Sequence, residues 1–496
     1  MQRHRHLIII DNLESLLGED GSWNNEFYQQ FFTAWIEKGD TSKIIVTTRE
    51  KPKTRGFNRW RWIELKGLKP PEGAQLLAES QITGDLENFS RRVDGHPLLL
   101  RLVADLILAE FPQNPSLERL ADLGLGNLSQ LLSDSQVVGS HRQETVGIAL
   151  VLDASFQRLS QRQQELFTKT SIYRREFDSP AAKAVMDNYP EIALSEITAD
   201  LRELQRRSLL EEKEENRQRI FSFQPLVWEY AQYKAGDQRE LHQKAIAYYL
   251  SIAQPDSWEI LNDVQPYLEI FYHHYQLTEY DNAFDILRAI DDFLTRRGYY
   301  QTLADYYLEL VTVYQQQEEQ TNWKYTASLT SLGNAYGSLG EYQKAIEFHQ
   351  QSLAIKREIG DRGGEAKSYG NLGTVYGSLG EYQKAIEFYQ QSLAIEREIG
   401  DQGGEANAWF NLGLTYYKLK RISEAKEAFL QSRELFQALG LAADVQNCDD
   451  EIRQLETRKY PLIVAFFLGV VKFPLVSIGG IIVALWRLLK RWLTKA

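Results

Sequence analysis

Few side chains in this 496-residue chain are placed for covalent chemistry. Asp11 closes the apolar run Leu7-Ile8-Ile9-Ile10, where a carboxylate could hold Mg²⁺ through water. Arg49 closes a second run, Ile44-Ile45-Val46-Thr47-Thr48. A nucleotide site also needs a glycine-rich loop whose N–H groups and lysine cradle the phosphates. No Gly-x-x-x-x-Gly-Lys-Ser/Thr occurs, nor any Gly-Lys pair. Asp11 and Arg49 thus have no phosphate to act on. The eight histidines show no metal-ligand spacing, and adjacent His273 and His274 cannot share a helix face. The single cysteine, Cys448, excludes a disulfide framework and a multi-cysteine zinc or iron–sulfur site. No nucleophile elbow or hydrolase triad signature is present. The expectation is no enzyme, no metal and no cofactor.

The elements that must position these residues change along the chain. Residues 1–110 alternate strand and helix. Leu7–Ile10 and residues 43–48 read as strands buried on both faces, and residues 60–65 as a third. Between the first two, Phe27, Phe31, Phe32, Trp35 and Ile36 have helical spacing. This is α/β organisation with a parallel sheet. Residues 111–240 are mostly helical. Phe221-Ser222-Phe223, after the charged stretch 211–219, predicts a hairpin with a polar turn, as in a winged helix. Residues 241–324 read as loosely paired helices. The net charge of −12 argues against nucleic acid as a partner. The basic stretch 49–69 reads as a solvated loop and helix start.

Residues 325–440 repeat with a period of 40. Gly333, Gly373 and Gly413 recur at that spacing, as do Leu332, Leu372 and Leu412, Tyr336, Tyr376 and Tyr416, and Ala345, Ala385 and Ala425. Segments 337–366 and 377–406 differ only at His349/Tyr389, Lys356/Glu396 and Arg362/Gln402. Identity this high indicates recent duplication and says little about which residues function. Each unit reads as two helices, with the small glycine letting the pair approach closely.

The order Leu-Gly-x-x-Tyr, then Ala-x-x-x-aromatic, resembles the tetratricopeptide repeat. Trp409, Leu412, Gly413, Tyr416, Ala425 and Phe429 fill six of its positions in one unit. The usual proline near the second helix end is absent, and Arg357 or Arg397 occupies that region. The resemblance implies a solenoid whose groove is lined by first-helix residues: Ser331, Asn334, Lys367, Asn371, Asn407 and Asn411. Its implied partner is a protein or peptide.

The N-terminal part resembles NB-ARC-type signal-transduction NTPases of the STAND group. His6-Leu7-Ile8-Ile9-Ile10-Asp11-Asn12-Leu13-Glu14 is similar to a Walker B strand, with Asn12 where many relatives have a second acid and Glu14 as a substitute. Ile44 to Arg49 resembles the sensor strand, whose arginine reaches the γ-phosphate. Gly95-His96-Pro97-Leu98 resembles the motif whose proline packs near adenine. Phe223-Gln224-Pro225-Leu226 stands where relatives carry a phosphate-sensing histidine, here replaced by Gln224. In the family the phosphate-loop strand lies between the Walker B and sensor strands. Its absence implies a chain truncated from a larger product, a separate chain completing the sheet, or a repacked remnant. ATP or ADP with Mg²⁺ is expected only if the module is completed. In intact relatives ATP drives oligomerisation.

The fold class expected is mostly α. It comprises a truncated α/β NTPase remnant (1–110), a helical and winged-helix region (111–240) and degenerate repeats (241–324). Tetratricopeptide repeats (325–440), a linker helix (441–459) and a hydrophobic segment with a basic tail (460–496) follow. Residues 460–486 would span roughly 40 Å as a helix, against a hydrocarbon core of about 30 Å. Tyr460 and Trp486 sit at its ends like interface anchors. Lys472 would cost about 2.5–3.5 kcal/mol at a bilayer centre. Pro474 would kink the helix. The readings are a tilted span with Lys472 snorkelling, a shallow hairpin at Pro474, or an apolar helix packed on the solenoid. The first two imply a cytoplasmic protein associated with a membrane at its C-terminus.

Overall fold

The computed structural model describes residues 7–10, 13–17, 22–23, 26–38, 43–48, 52, 61, 63, 67–126, 140–215, 218–254, 257–317 and 322–459. They fall into two compact units, Met1–Arg158 and Leu159–Ala496.

In the first unit, β1 (Leu7–Ile10) and β2 (Lys43–Val46) flank α1 (Glu26–Lys38). The strands are parallel, with Ile8 opposite Ile44. They hydrogen-bond directly to each other, so the strand that the family sheet places between them has no room there. Ile10, Ile44 and Val46 lean on Leu13 and Phe32. Ile9 and Ile45 remain 66% and 51% exposed. Burial on both faces is therefore not observed: α1 covers one face, and no described element covers the other. The expected strand at 60–65 falls mostly outside the described residues. The unit continues through α2 (Pro70–Glu79), α3 (Leu86–Arg92), α4 (Pro97–Glu110) and α5 (Ser140–Phe156). α5 packs on α4, and Arg158 approaches Glu110 at 3.8 Å. The boundary consequently falls after Arg158, not after residue 110.

The second unit opens with α6 (Gln161–Thr170), α7 (Ser179–Ala184) and α8 (Leu194–Arg206). The antiparallel hairpin of β3 (Glu211–Glu215) and β4 (Gln218–Ser222) follows. Phe221 exchanges two backbone hydrogen bonds of 2.8 Å with Phe177, which pins the hairpin to the helices. Then come α9 (Pro225–Ala235), α10 (Arg239–Ile252), α11 (Gln265–Gln276), α12 (Tyr280–Arg297) and α13 (Tyr300–Gln316). The 40-residue units supply α14 (Trp323–Ser338), α15 (Tyr342–Glu358), α16 (Arg362–Leu379) and α17 (Tyr382–Ile399). They end with α18 (Gln402–Lys418) and α19 (Ile422–Ala438), and α20 (Ala442–Lys459) packs on α19. From α10 to α20 each helix packs on the next, giving an α-solenoid.

Local chemistry sets the helix ends. Asp361 and Asp401 accept the N–H of Gly364 and Gly404 at 2.9 Å, capping α16 and α18. Gly380 and Gly400 end their helices at φ +86° and +74°, a conformation that favours glycine. The seam within each unit is a glycine against an aromatic ring. A Cβ on Gly333, Gly373 or Gly413 would lie 2.7 Å from the ring of His349, Tyr389 or Phe429. The Tyr389 hydroxyl also shares a 3.0 Å hydrogen bond with Thr374.

Two of the three differences between the duplicated segments are buried. Lys356 is 7% exposed, and its ammonium donates to Thr330 at 3.1 Å and Ser368 at 3.2 Å. Forty residues on, Gly370 and Ala408 occupy those positions. Glu396, 5% exposed, consequently has, among the described residues, only Ser392 (3.0 Å) on Oε1 and no partner on Oε2. Burial pushes the Lys356 ammonium down and the Glu396 carboxyl up, the latter helped by Asp401 and Glu405. Among the described residues neither ring nitrogen of His349 has a partner, and burial lowers its pKa to about 4.

Among the described residues no helix is long and apolar enough to cross a membrane. Tyr460, Lys472, Pro474 and Trp486 lie outside those residues.

Two outcomes follow. Helix propensity alone favours Gly→Ala by about 1 kcal/mol. At Gly373 overpacking of Tyr389 should reverse this, lowering stability by about 1–3 kcal/mol in chemical denaturation. At Gly377, where a Cβ would sit 3.9 Å from Ala385, the same change should be neutral or stabilising. A Gly373→Ala chain as stable as wild type contradicts the packing. The second concerns pH. A carboxyl whose folded pKa is raised contributes stability that is full below its unfolded pKa and lost as pH rises. Glu396→Gln should therefore melt progressively higher than wild type as pH rises through the range above about 4.5, the ordinary glutamate value. A constant difference across that range contradicts a raised Glu396.

Candidate partner-binding groove

The first helix of each hairpin faces inward. Successive first helices α12, α14, α16 and α18 approach one another more closely than the second helices do, which defines the inner side of the curve. Their buried faces carry the leucines and glycines of the seam. Leu332, Leu372 and Leu412 are buried, as are Gly333, Gly373 and Gly413. What remains on the inner side is set by positions three and four residues away.

Three registers recur there at 40-residue spacing: Ala327, Lys367 and Asn407; Ser331, Asn371 and Asn411; Asn334, Thr374 and Leu414. Asn334, Lys367 and Asn407 are exposed, while Ser331, Asn371 and Asn411 are half-buried. All six expected groove residues thus lie on inner helices and reach the surface. They differ in how free they are. The Asn407 amide donates to Gly403 O at 2.9 Å on its own helix. Ser331 donates to Asp291 at 3.4 Å, where Tyr307 also donates at 2.5 Å. The side chains of Asn334, Lys367, Asn371 and Asn411 make no hydrogen bond among the described residues. A cavity of about 450 Å³ between α12 and α14 is bordered by Arg288, Asp291, Ser331 and Asn334. Sequence reading missed the α12 side of this cavity, because α12 lies ahead of the regular repeat.

Asp11, Asn12 and Arg49 lie outside the described residues, and the backbone of Glu14 lies in a 3₁₀ turn, Leu13–Leu16. Pro97 is the first residue of α4, behind Gly95 at φ +62°. A Cβ on Gly95 would lie 2.0 Å from Leu68 O, so this motif serves a close backbone crossing. Gln224 belongs to the second unit, where its amide donates to Glu211 at 2.8 Å and ties α9 to the hairpin. Among the described residues no cluster of His, Cys, Asp and Glu could hold a metal ion.

Comparison with known proteins extends this geometry. Residues 324–398 and 364–438 match the tetratricopeptide repeat model. An uncharacterized WD repeat-containing protein of Nostoc sp. is 30% identical over 250 residues, 46% of this chain and 18% of that protein. G-protein-signaling modulator 1 of Mus musculus is 52% identical over 46 residues, 9% of this chain and 7% of that protein. The chain spans less than a fifth of the length of these curated relatives. A STAND protein with a tetratricopeptide repeat sensor from Pyrococcus horikoshii aligns with 90% of this chain and 70% of its own, at 17% identity and a TM-score of 0.35. A Rap protein complexed with competence and sporulation factor aligns with 78% of this chain and 98% of its own, at 13% identity and a TM-score of 0.28. The firm assignment is regional: residues 324–438 are tetratricopeptide repeats.

Proposed function

We propose that the chain is an interaction scaffold or signalling protein whose inner groove binds an extended protein or peptide segment. The observation that carries this is the set of uncommitted polar side chains on inner helices: Asn334, Lys367, Asn371 and Asn411. Asparagine offers both a donor and an acceptor, the pair that a peptide backbone exposes. Lys367 and Asn371 lie one helical turn apart on the same face of α16, so one ligand can engage both. The groove needs no catalytic group. The remnant switch reading rests on the motifs at Asp11, Arg49 and Pro97. It becomes an ATP/ADP-binding STAND switch only if an upstream phosphate loop is supplied. A membrane tether through residues 460–486 in a cytoplasmic protein is the companion proposal. It rests on the apolar run between Tyr460 and Trp486 and the basic residues after it.

The test is selection of peptides from a displayed random library on the full chain, followed by titration of a selected peptide. Lys367→Ala with Asn371→Ala should weaken it roughly tenfold, the worth of one or two hydrogen bonds, without moving the melting temperature. A selected peptide that binds both forms equally places the binding surface elsewhere.

A further inference from the structure

A cavity of about 640 Å³ lies wholly within the second unit, away from the repeat groove. Residues 175–181 and Ile220 of β4 form one side, and α10 and α11 the other. Its volume falls within the roughly 300–1,000 Å³ of small-molecule sites.

Three carboxylates line it, and they are neutralised differently. Glu269, 2% exposed, is held by Arg174 at 3.2 Å, Arg175 at 3.3 Å and the Gln265 amide at 2.7 Å. Glu176 pairs with Lys213 at 2.5 Å. Asp178 has no cationic partner among the described residues. Its Oδ1 accepts the Ala181 N–H at 2.9 Å and the Tyr248 hydroxyl at 3.1 Å, and its Oδ2 accepts nothing among the described residues. A second uncommitted group faces the same space. Tyr249 is 9% exposed and stacks on His273 at 5.7 Å, yet its hydroxyl has no hydrogen-bond partner among the described residues. The ring is enclosed while the hydroxyl reaches the cavity, where a ligand acceptor can meet it. Burial pushes its pKa up, so it remains a donor.

We propose that this cavity binds a small organic cation: an ammonium or guanidinium group on an apolar body that also carries a hydroxyl or carbonyl acceptor. The cation pairs with Asp178 beside the Tyr248 ring. The acceptor takes the Tyr249 hydroxyl. Phe177 and Ile220 supply apolar wall. Asp178 is the carboxylate left without a cation, while Arg174, Arg175 and Lys213 are already engaged with Glu269 and Glu176. Because the walls come from the hairpin region and from the first array helices, a bound ligand ties the two together and stabilises their junction.

The experiment is calorimetric titration of the full chain with tyramine and with L-argininamide, and with succinate as the anionic comparison. Saturable millimolar or tighter binding of at least one cation is expected, with none for succinate. Asp178→Asn keeps a helix-capping side chain, and Tyr249→Phe keeps the ring, so circular dichroism should show both folded. The first should weaken cation binding by roughly tenfold or more and the second by several-fold, the worth of a charged and a neutral hydrogen bond. The proposal is overturned if neither cation binds at about 10 mM, weaker than the affinity range of such sites. It is equally overturned if both folded variants bind as wild type does, or if succinate binds comparably.

Discussion

A glycine with an aromatic ring seated directly against its Cα holds each repeat together. At Gly333, Gly373 and Gly413 no side chain fits between the paired helices. The partner ring changes from histidine to tyrosine to phenylalanine while the approach stays the same. The backbone contact is thus the constraint, and the ring fills whatever that contact leaves. Close pairing puts the leucines of the inner helices into the seam, and the curve of the array follows from the inner helices being nearer neighbours than the outer ones. The groove is a consequence: only side chains excluded from the seam face it.

The same constraint explains where polar residues are tolerated inside. Lys356 survives burial because Thr330 and Ser368 stand within reach of its ammonium. The copied unit carries Glu396 between Gly370 and Ala408, and one carboxylate oxygen goes without a partner. Duplication conserved the helix geometry and left this polar site to diverge.

What was legible in the sequence was whatever repeats. A period of 40 gave the helices, the seam and the inner face, since each is fixed by residues three, four and forty apart. The period places Asn371 and Lys367 on an inner helix for that reason. The commitment of Asn407 to its own helix and of Ser331 to Asp291 depends on rotamers and on α12, neither of which the period encodes. The first unit was less legible. Two apolar runs promised strands covered on both sides. The chain provides a direct β1–β2 pair with Ile9 and Ile45 bare, because coverage comes from partner elements that no local pattern specifies. Gln224 shows the same limit: its motif position suggested a ligand, and its amide instead binds Glu211. The cavity beside Asp178 was invisible, since its walls come from three stretches far apart in sequence.

The central claim is that the inner helices of the array form the binding face. Hydrogen–deuterium exchange of the full chain, with and without a peptide selected on it, measures this directly. Protection on binding should concentrate in α14, α16 and α18, with α15, α17 and α19 changing least. Protection confined to the outer helices, or to the first unit, would contradict the account.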